Sequence, residues 1–342
     1  MTSVFVLSIL LLISLFNLFS LTLRPEAAAA QSSAVEEDYI KWVDFSIPSE
    51  ALNKAMKIDI ETYGTPQHVN WIELLAVLGT KYGGNWNSYK AADMDKAAER
   101  LKAGETGAEI LEGYENFDYF LEAYDAVLSG FLGEFQKDLV DRRTGLILPQ
   151  ESYGLKAFAP IAEGFGYSHY RDFGSSRSYG YTRRHLGNDI HGSIGVPITA
   201  VEGGIIEEIG WNQYGGWRIG IRSFDSRRYY YYAHMRKDHP YAPGLEQGME
   251  VQAGDVIGYL GMTGYSREEN VNNMKKPHLH FGIQLIFDES QKDSTNQIWI
   301  DVYELVEFLQ QNRTTVVRVE ETKDYVRRYP MYDEHFPRPA GG

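Results

Sequence analysis

The chain has 342 residues, enough for two domains with sizeable cores, and its 43% hydrophobic and 23% charged content is that of a soluble globular protein. A formal net charge of −14 argues against nucleic acid or an anionic membrane surface as a partner, because those are met by clustered Lys and Arg. With no cysteine, thiol nucleophiles, thiolate metal sites and disulfides are all excluded, which leaves His, Asp and Glu as metal ligands.

At the N-terminus, Val4 to Leu23 carries no charge, matching the ~20 residues of a bilayer span, and Ala27–Ala30 offers small residues of the kind a processing site needs. Residues 1–34 are therefore expected to be a signal peptide or a membrane anchor through residues 4–23, placing the rest of the chain outside the cytoplasm. No Lys or Arg precedes the run and Arg24 follows it, so the charge asymmetry is weak and cleavage stays open.

Residues 38–141 are expected to form a helical domain of four or so helices. Ser49 is placed to cap a helix reaching Ile60. Asn70 with Glu73 three residues on predicts a capping box opening a helix over 71–82, with Gly83-Gly84 as its stop. Met94, Ala97, Ala98 and Leu101 mark another helix ending near Gly104. Tyr119, Phe120, Ala123, Tyr124, Val127, Leu128 and Phe131 form one stripe, which is more often core than a binding face.

A linker is expected around residues 142–152, after which the texture changes. Glycines become frequent and short β-rich runs follow one another: 197–201, 204–209, 217–223, 228–234, 256–260 and 278–285. The fold class expected is α+β multidomain, a helical domain followed by an antiparallel β-sandwich or barrel-like domain over 152–310. Residues 217–234 read as a hairpin turning at Phe224-Asp225-Ser226, with alternation placing Tyr230, Tyr232 and His234 on one face. Asp301 to Gln310 reads as a closing helix, and 311–342 as a loosely packed C-terminal tail.

Four histidines and one aspartate carry the chemical signal. RRHLGNDIHG places His185 four residues before Asp189, a weak signal alone. The stretch 275–285, KKPHLHFGIQL, puts His278 and His280 two residues apart, so in a strand both imidazoles share one face. His234 ends the aromatic run at 229–234. A hydrolytic zinc site takes three protein ligands and leaves one position to water, whose pKa it lowers from ~16 toward ~7. His185, Asp189 and one histidine of the pair supply that number. The other histidine and His234 fit the remaining tasks of proton transfer and oxyanion stabilisation. His191 is an alternative ligand on spacing. His169 and His239 read as surface or rim residues, and Asn270–Lys276 as a groove wall.

HLGND, YAHM and HLHFG, in that order and with GWNQYGGWRIGI and VQAGDVIGYLGMTGYS between them, resemble the LytM/lysostaphin-type zinc endopeptidases of bacterial peptidoglycan. The resemblance spans about residues 175–285 and leaves the helical domain and the tail uncovered. It implies a β-rich peptidase domain binding one Zn2+ per chain through His185, Asp189 and His280. It also implies His278 as general base and His234 assisting the oxyanion, with a hydroxyl from Tyr179 or Tyr181. The substrate implied is peptidoglycan peptide. The alternative reading is a catalytically silent zinc-bearing module that binds wall or a protein partner.

Overall fold

A computed structural model describes residues 39–140 and 147–339. The leader expected at 1–34 lies outside the described residues, and among those described no helix is long and apolar enough to cross a membrane. The helical spacing of the first third becomes α1 Ser49–Thr62, α2 Trp71–Lys81, α3 Ala91–Lys102, the short α4 Gly107–Ile110 and α5 Phe117–Leu128. Helix α2 is the hub, buried at Trp71, Ile72 and from Leu74 to Thr80, with the other four packed around it.

Asn70 starts α2 as expected: its Oδ1 accepts the N–H groups of Ile72 and Glu73 at 2.8 and 3.1 Å, satisfying donors that have no intrahelical partner. The reciprocal half of the capping box is absent. Glu73 instead accepts the Gly107 N–H at 2.8 Å and ties α4 to α2. Ser49 does not cap α1 with its side chain. Pro48 takes that position, and the Ser49 N–H donates to Glu304 Oε2 at 2.7 Å, a cap from 255 residues away. The aromatic stripe of α5 is core at Tyr124, whose hydroxyl accepts the Trp86 indole N–H at 2.8 Å. A Cβ on Gly79 would lie 2.6 Å from that hydroxyl, so α2 can approach α5 only with glycine there.

Of the linker expected around 142–152, residues 147–152 are strand. Strands β1 Leu132–Val140 and β2 Ile147–Leu155 pair antiparallel along their whole length. Polar residues on both faces hide the two-residue period that would have announced these strands. Then follow β3 Ser168–His169, β4 Ser176–Tyr179, β5 Tyr181–Arg184, β6 Asn188–His191, β7 Pro197–Thr199, β8 Gly204–Asn212 and β9 Gly216–Ser223. After them come β10 Arg228–Ala233, β11 Glu250–Val251, β12 Val256–Tyr259, β13 His278–Leu285 and β14 Ile298–Ile300.

The main sheet is antiparallel in the order β11-β8-β9-β10-β13-β6-β3, and β14 continues the β6 edge of β13. It has two ends, β11 and β3, so it is open rather than closed into a barrel. The predicted hairpin is β9 and β10, turning through Ser226 at φ 62°. Its side-chain assignment needs one correction. Tyr230 and Tyr232 point into the core, but His234 has φ 62° and leaves the alternation, joining the face of Tyr229 and Tyr231.

Helix α6 Tyr303–Leu309 closes the β-rich part and stacks Phe308 on Trp71 of α2, with centroids 6.1 Å apart. One buried apolar cluster therefore runs from Val43 to Leu309, and residues 40–342 form one unit rather than separate helical and β bodies. The stretch expected as a loose tail is packed. It forms β15 Val316–Arg318, β16 Tyr325–Arg327 and β17 Met331–Tyr332; β17 pairs with β1, and Asp324 accepts the Tyr259 hydroxyl at 2.9 Å. These pairings join distant segments, which local spacing does not reveal.

Arg228 crosses the seam between the two parts. It is 1% exposed and donates to Glu202 at 2.7 and 3.0 Å, to Asp225 at 2.7 Å, and to the Ala126 carbonyl and Ser129 hydroxyl of α5's C-terminal end at 2.7 and 3.0 Å. Breaking a buried pair strands the remaining charge. Arg228→Met should therefore lower the unfolding free energy by about 3–5 kcal/mol in urea titration. Adding Glu202→Gln should restore much of that loss, because the stranded carboxylate is gone.

Candidate metal centre and cleft

The site forms where β13 meets β6 and the end of β10. In β13, Leu279, Phe281, Ile283 and Leu285 are buried in the core, which turns His278 and His280 to the opposite face, as the alternation predicts. In β6, Ile190 is core, and Asn188 is held by the Val302 N–H at 3.0 Å, so Asp189 faces the cleft. The register sets His280 directly across from Asp189, and His278 across from His191. His185 enters from the β5–β6 connection. A Cβ on Gly187 would lie 2.5 Å from the Phe281 carbonyl oxygen and 2.9 Å from the His280 ring, so the close approach of this connection requires glycine.

Three ligand-type atoms converge. His185 Nε2 lies 2.8 Å from His280 Nδ1 and 3.0 Å from Asp189 Oδ1, and His280 Nδ1 lies 3.4 Å from the same oxygen. Ligands about 2.0–2.1 Å from a tetrahedral Zn2+ stand roughly 3.3 Å apart, so this triangle fits such an ion after slight expansion. Among the described residues, His185, Asp189 and His280 are the group placed to hold a metal ion. His191 is outside it, its ring tilted against that of His278 with centroids 5.3 Å apart.

Two imidazoles are oriented by carbonyls that can only accept. His278 Nδ1 donates to the Lys276 carbonyl at 2.9 Å and His234 Nδ1 to the Thr263 carbonyl at 2.7 Å, so in both the proton sits on Nδ1 and Nε2 presents a lone pair. His185 Nδ1 lies 3.1 Å from the Asp172 carbonyl oxygen and 3.2 Å from the Arg177 guanidinium, while its Nε2 faces Asp189 Oδ1 at 3.0 Å. His278 Nε2 is 3.7 Å from Asp189 Oδ1, and the His278 and His234 rings are 4.7 Å apart.

Burial opposes charge on these rings. It lowers His280 and holds His234 well below its ordinary value, the neighbouring His278 adding to the effect. Burial alone would raise the Asp189 carboxyl, but hydrogen bonds to His185 and His280 overcome it and hold the acid ionised well below the usual carboxylate range. The result is an ionised Asp189 beside the neutral imidazoles of His234 and His280, which at Asp189 and His280 is the state that metal ligation requires.

Two residues of this centre escape sequence reading. Arg177 donates to Asp172 Oδ2 at 2.6 Å and Asp189 Oδ2 at 3.0 Å, fixing the ligand carboxylate from behind. Burial and the charge of Asp189 raise Asp172. Nothing in spacing marks either residue; β4 and the loop before it bring them in. Thr263 acts on His234, its carbonyl accepting the ring and its hydroxyl bonding to Met235 at 2.6 Å.

The remaining candidates separate. Tyr181 lines the cleft, whereas Tyr179 stacks on Tyr265 at 5.0 Å. Met274 brings the 270–276 loop to the cleft. His169, expected at the surface, has a side chain only 5% exposed, bonded to Glu307 and stacked on Tyr303 at 4.3 Å. His239 bonds to Asp324. The cleft over the metal centre has a volume of about 330 Å³, within the range of small-ligand pockets.

Residues 183–295 match the sequence profile of Peptidase family M23 and form a domain of that family. Over 117 residues the chain is 38% identical to the L-Ala–D-Glu endopeptidase of Bacillus subtilis, covering 34% of each protein. Over 98 residues it is 37% identical to the glycyl-glycine endopeptidase ALE-1 of Staphylococcus capitis, covering 28% of this chain and 24% of that one. The chain thus spans about a third of the length of the first relative and about a quarter of the second. A solved structure from Ruminococcus gnavus, described as a candidate glycyl-glycine endopeptidase lytM, superposes with a TM-score of 0.50 at 21% identity, over 75% of this chain and 88% of that one. The shared fold therefore extends beyond the family domain.

One equivalent of Zn2+ is expected to bind per chain in calorimetry, and His280→Ala or Asp189→Asn should weaken it by more than about 100-fold. His278→Ala should leave stoichiometry unchanged. In the metal-free protein, His234 takes up its proton at lower pH when folded than when unfolded. Its contribution to stability is thus full above about pH 6.5 and is lost as pH falls through the lowered folded value. Thermal melts from pH 7 to 5 should show declining stability, and His234→Asn should flatten that decline.

Proposed function

We propose that the protein is a zinc-dependent endopeptidase that hydrolyses peptide bonds of bacterial peptidoglycan and works outside the cytoplasm, where that polymer lies. The observation that carries this reading is the coincidence, on one cleft floor, of a three-ligand centre and two imidazoles whose bare Nε2 atoms face it. A bound Zn2+ supplies a Lewis acid for the scissile carbonyl and acidifies a water beside it.

The other tasks fall to the chain. His278 receives the proton of the attacking water on Nε2, because its Nδ1 proton is committed to the Lys276 carbonyl. It later returns that proton to the leaving amine. His234 differs from the simple expectation of an oxyanion donor. Its Nδ1 proton is committed to Thr263, so in the neutral ring Nε2 can accept but not donate. It can donate to the oxyanion only when Nε2 is protonated as well, and its ring lies 4.7 Å from that of His278. Arg177 holds Asp189 in place, and Tyr181 stands where a hydroxyl can reach the cleft.

The decisive experiment is mass spectrometry of fragments released from purified peptidoglycan by zinc-loaded protein, zinc-stripped protein and His278→Ala. New amino and carboxyl termini are expected with the intact loaded protein alone, with the variant at least about 100-fold slower. Cleavage that survives zinc removal would overturn the proposal.

A further inference from the structure

The chain is acidic overall, yet its catalytic cleft is not. Five Arg or Lys side chains line it against three Asp or Glu, and Asp172 and Glu207, paired with two of those cations from just outside the lining, bring the carboxylates to five. Three of the cations are already neutralised. Arg177 is paired with Asp172 and Asp189, Arg218 with Glu208, and Lys292 with Glu207. Arg183 and Arg184, on β5 immediately before His185, have no carboxylate within ion-pair distance among the described residues.

Arg183 is held ready. Its guanidinium lies 4.8 Å from the Tyr214 ring centre and 5.1 Å from that of Tyr265, and donates to the Tyr265 hydroxyl at 2.9 Å. Its Nη1 is buried without any acceptor. A half-buried cation with an unmet donor is costly unless something supplies an anion, because the charge has lost part of its water and gained no counter-charge. The rings confine the fork, which reduces the entropy lost when it engages a carboxylate. Arg184 is exposed at the rim, between the cleft and an adjoining hollow lined by Trp42 and Trp299.

We infer that the cleft selects a peptide bearing a free carboxylate beside the cleaved bond, received by Arg183 and Arg184, in preference to a neutral bridge such as oligoglycine. This deepens the endopeptidase reading and rests on it for catalysis, though not for binding. A carboxylate offers two acceptor oxygens to guanidinium donors, whereas a peptide carbonyl or amide offers no charge. The position of β5 makes recognition local to the chemistry, since the next residue in the chain is the metal ligand His185.

The test compares two synthetic peptides, L-Ala-γ-D-Glu-L-Lys with a free α-carboxylate and the same peptide with that group amidated. Wild type, Arg183→Gln and Arg184→Gln are assayed for kcat/KM, and binding of both peptides is measured on zinc-loaded His278→Ala. Wild type should prefer the acid form by about tenfold or more, expressed mainly in KM and weakened by salt. In each variant the ratio should fall toward one. Equal handling of the two peptides by wild type, or variants that lose both in parallel with the ratio intact, would overturn the inference. Carboxylate-dependent binding without any turnover would sustain it while removing the endopeptidase reading. Binding indifferent to the carboxylate would end it.

Discussion

The site depends on the register of a single strand. Strand β13 is hydrogen-bonded along both edges, to β10 on one side and to β6 and then β14 on the other. Because side chains alternate, the core demands of Leu279, Phe281, Ile283 and Leu285 dictate where His278 and His280 go. A slip of one residue would bury both histidines and expose four apolar side chains, so hydrophobic burial protects the geometry of the cleft floor from error. The same register places Asp189 opposite His280 and Ala233, the residue before His234, opposite it on the other edge.

Within that frame, a repeated device prepares the imidazoles. Two rings, His234 and His278, donate their Nδ1 proton to a backbone carbonyl, and backbone is positioned by secondary structure rather than by rotamer choice. Burial then keeps His234 and His280 neutral, and Asp189 remains the anion around which they gather. Glycines complete the fit. Gly187 lets the His185 connection lie on β13, and a Cβ on Gly264 would fall 2.9 Å from His234 Nδ1. The three ligand-type groups and the Nε2 atoms of His234 and His278 thus share one cleft.

The helical part shares in this construction through burial and charge. Arg228 fastens the end of α5 to the strand that leads to His234, and Glu304 caps α1 from the helix that follows β14. A Cβ on Gly130 would lie 1.8 Å from Glu202, the main partner of Arg228, so the turn after α5 is shaped to admit that carboxylate. Whole-chain charge and cleft charge differ: the chain is acidic, while Arg183 and Arg184 beside His185 have no carboxylate within ion-pair distance among the described residues.

Much of this is legible in the sequence where the controlling spacing is short. The helices around Asn70 and Tyr124, the hairpin 217–234 and the shared face of His278 and His280 follow from periods of two or 3.6 residues and from local steric rules, and the ordered motifs HLGND, YAHM and HLHFG are legible through resemblance. Tertiary structure alone decides the rest. The β1–β2 hairpin and the packed C-terminal strands carry polar residues on both faces and so show no period. The turn of His234 away from Tyr230 and Tyr232 comes from one positive φ, which alternation does not foresee. Arg177, Asp172 and Glu304 act on partners 12, 13 or more residues away, and their roles arise from charge and hydrogen-bond matching once the chain is folded. Local backbone geometry is written in neighbouring residues; the pairing of charges across a fold exists only after burial has removed the water that would otherwise satisfy them.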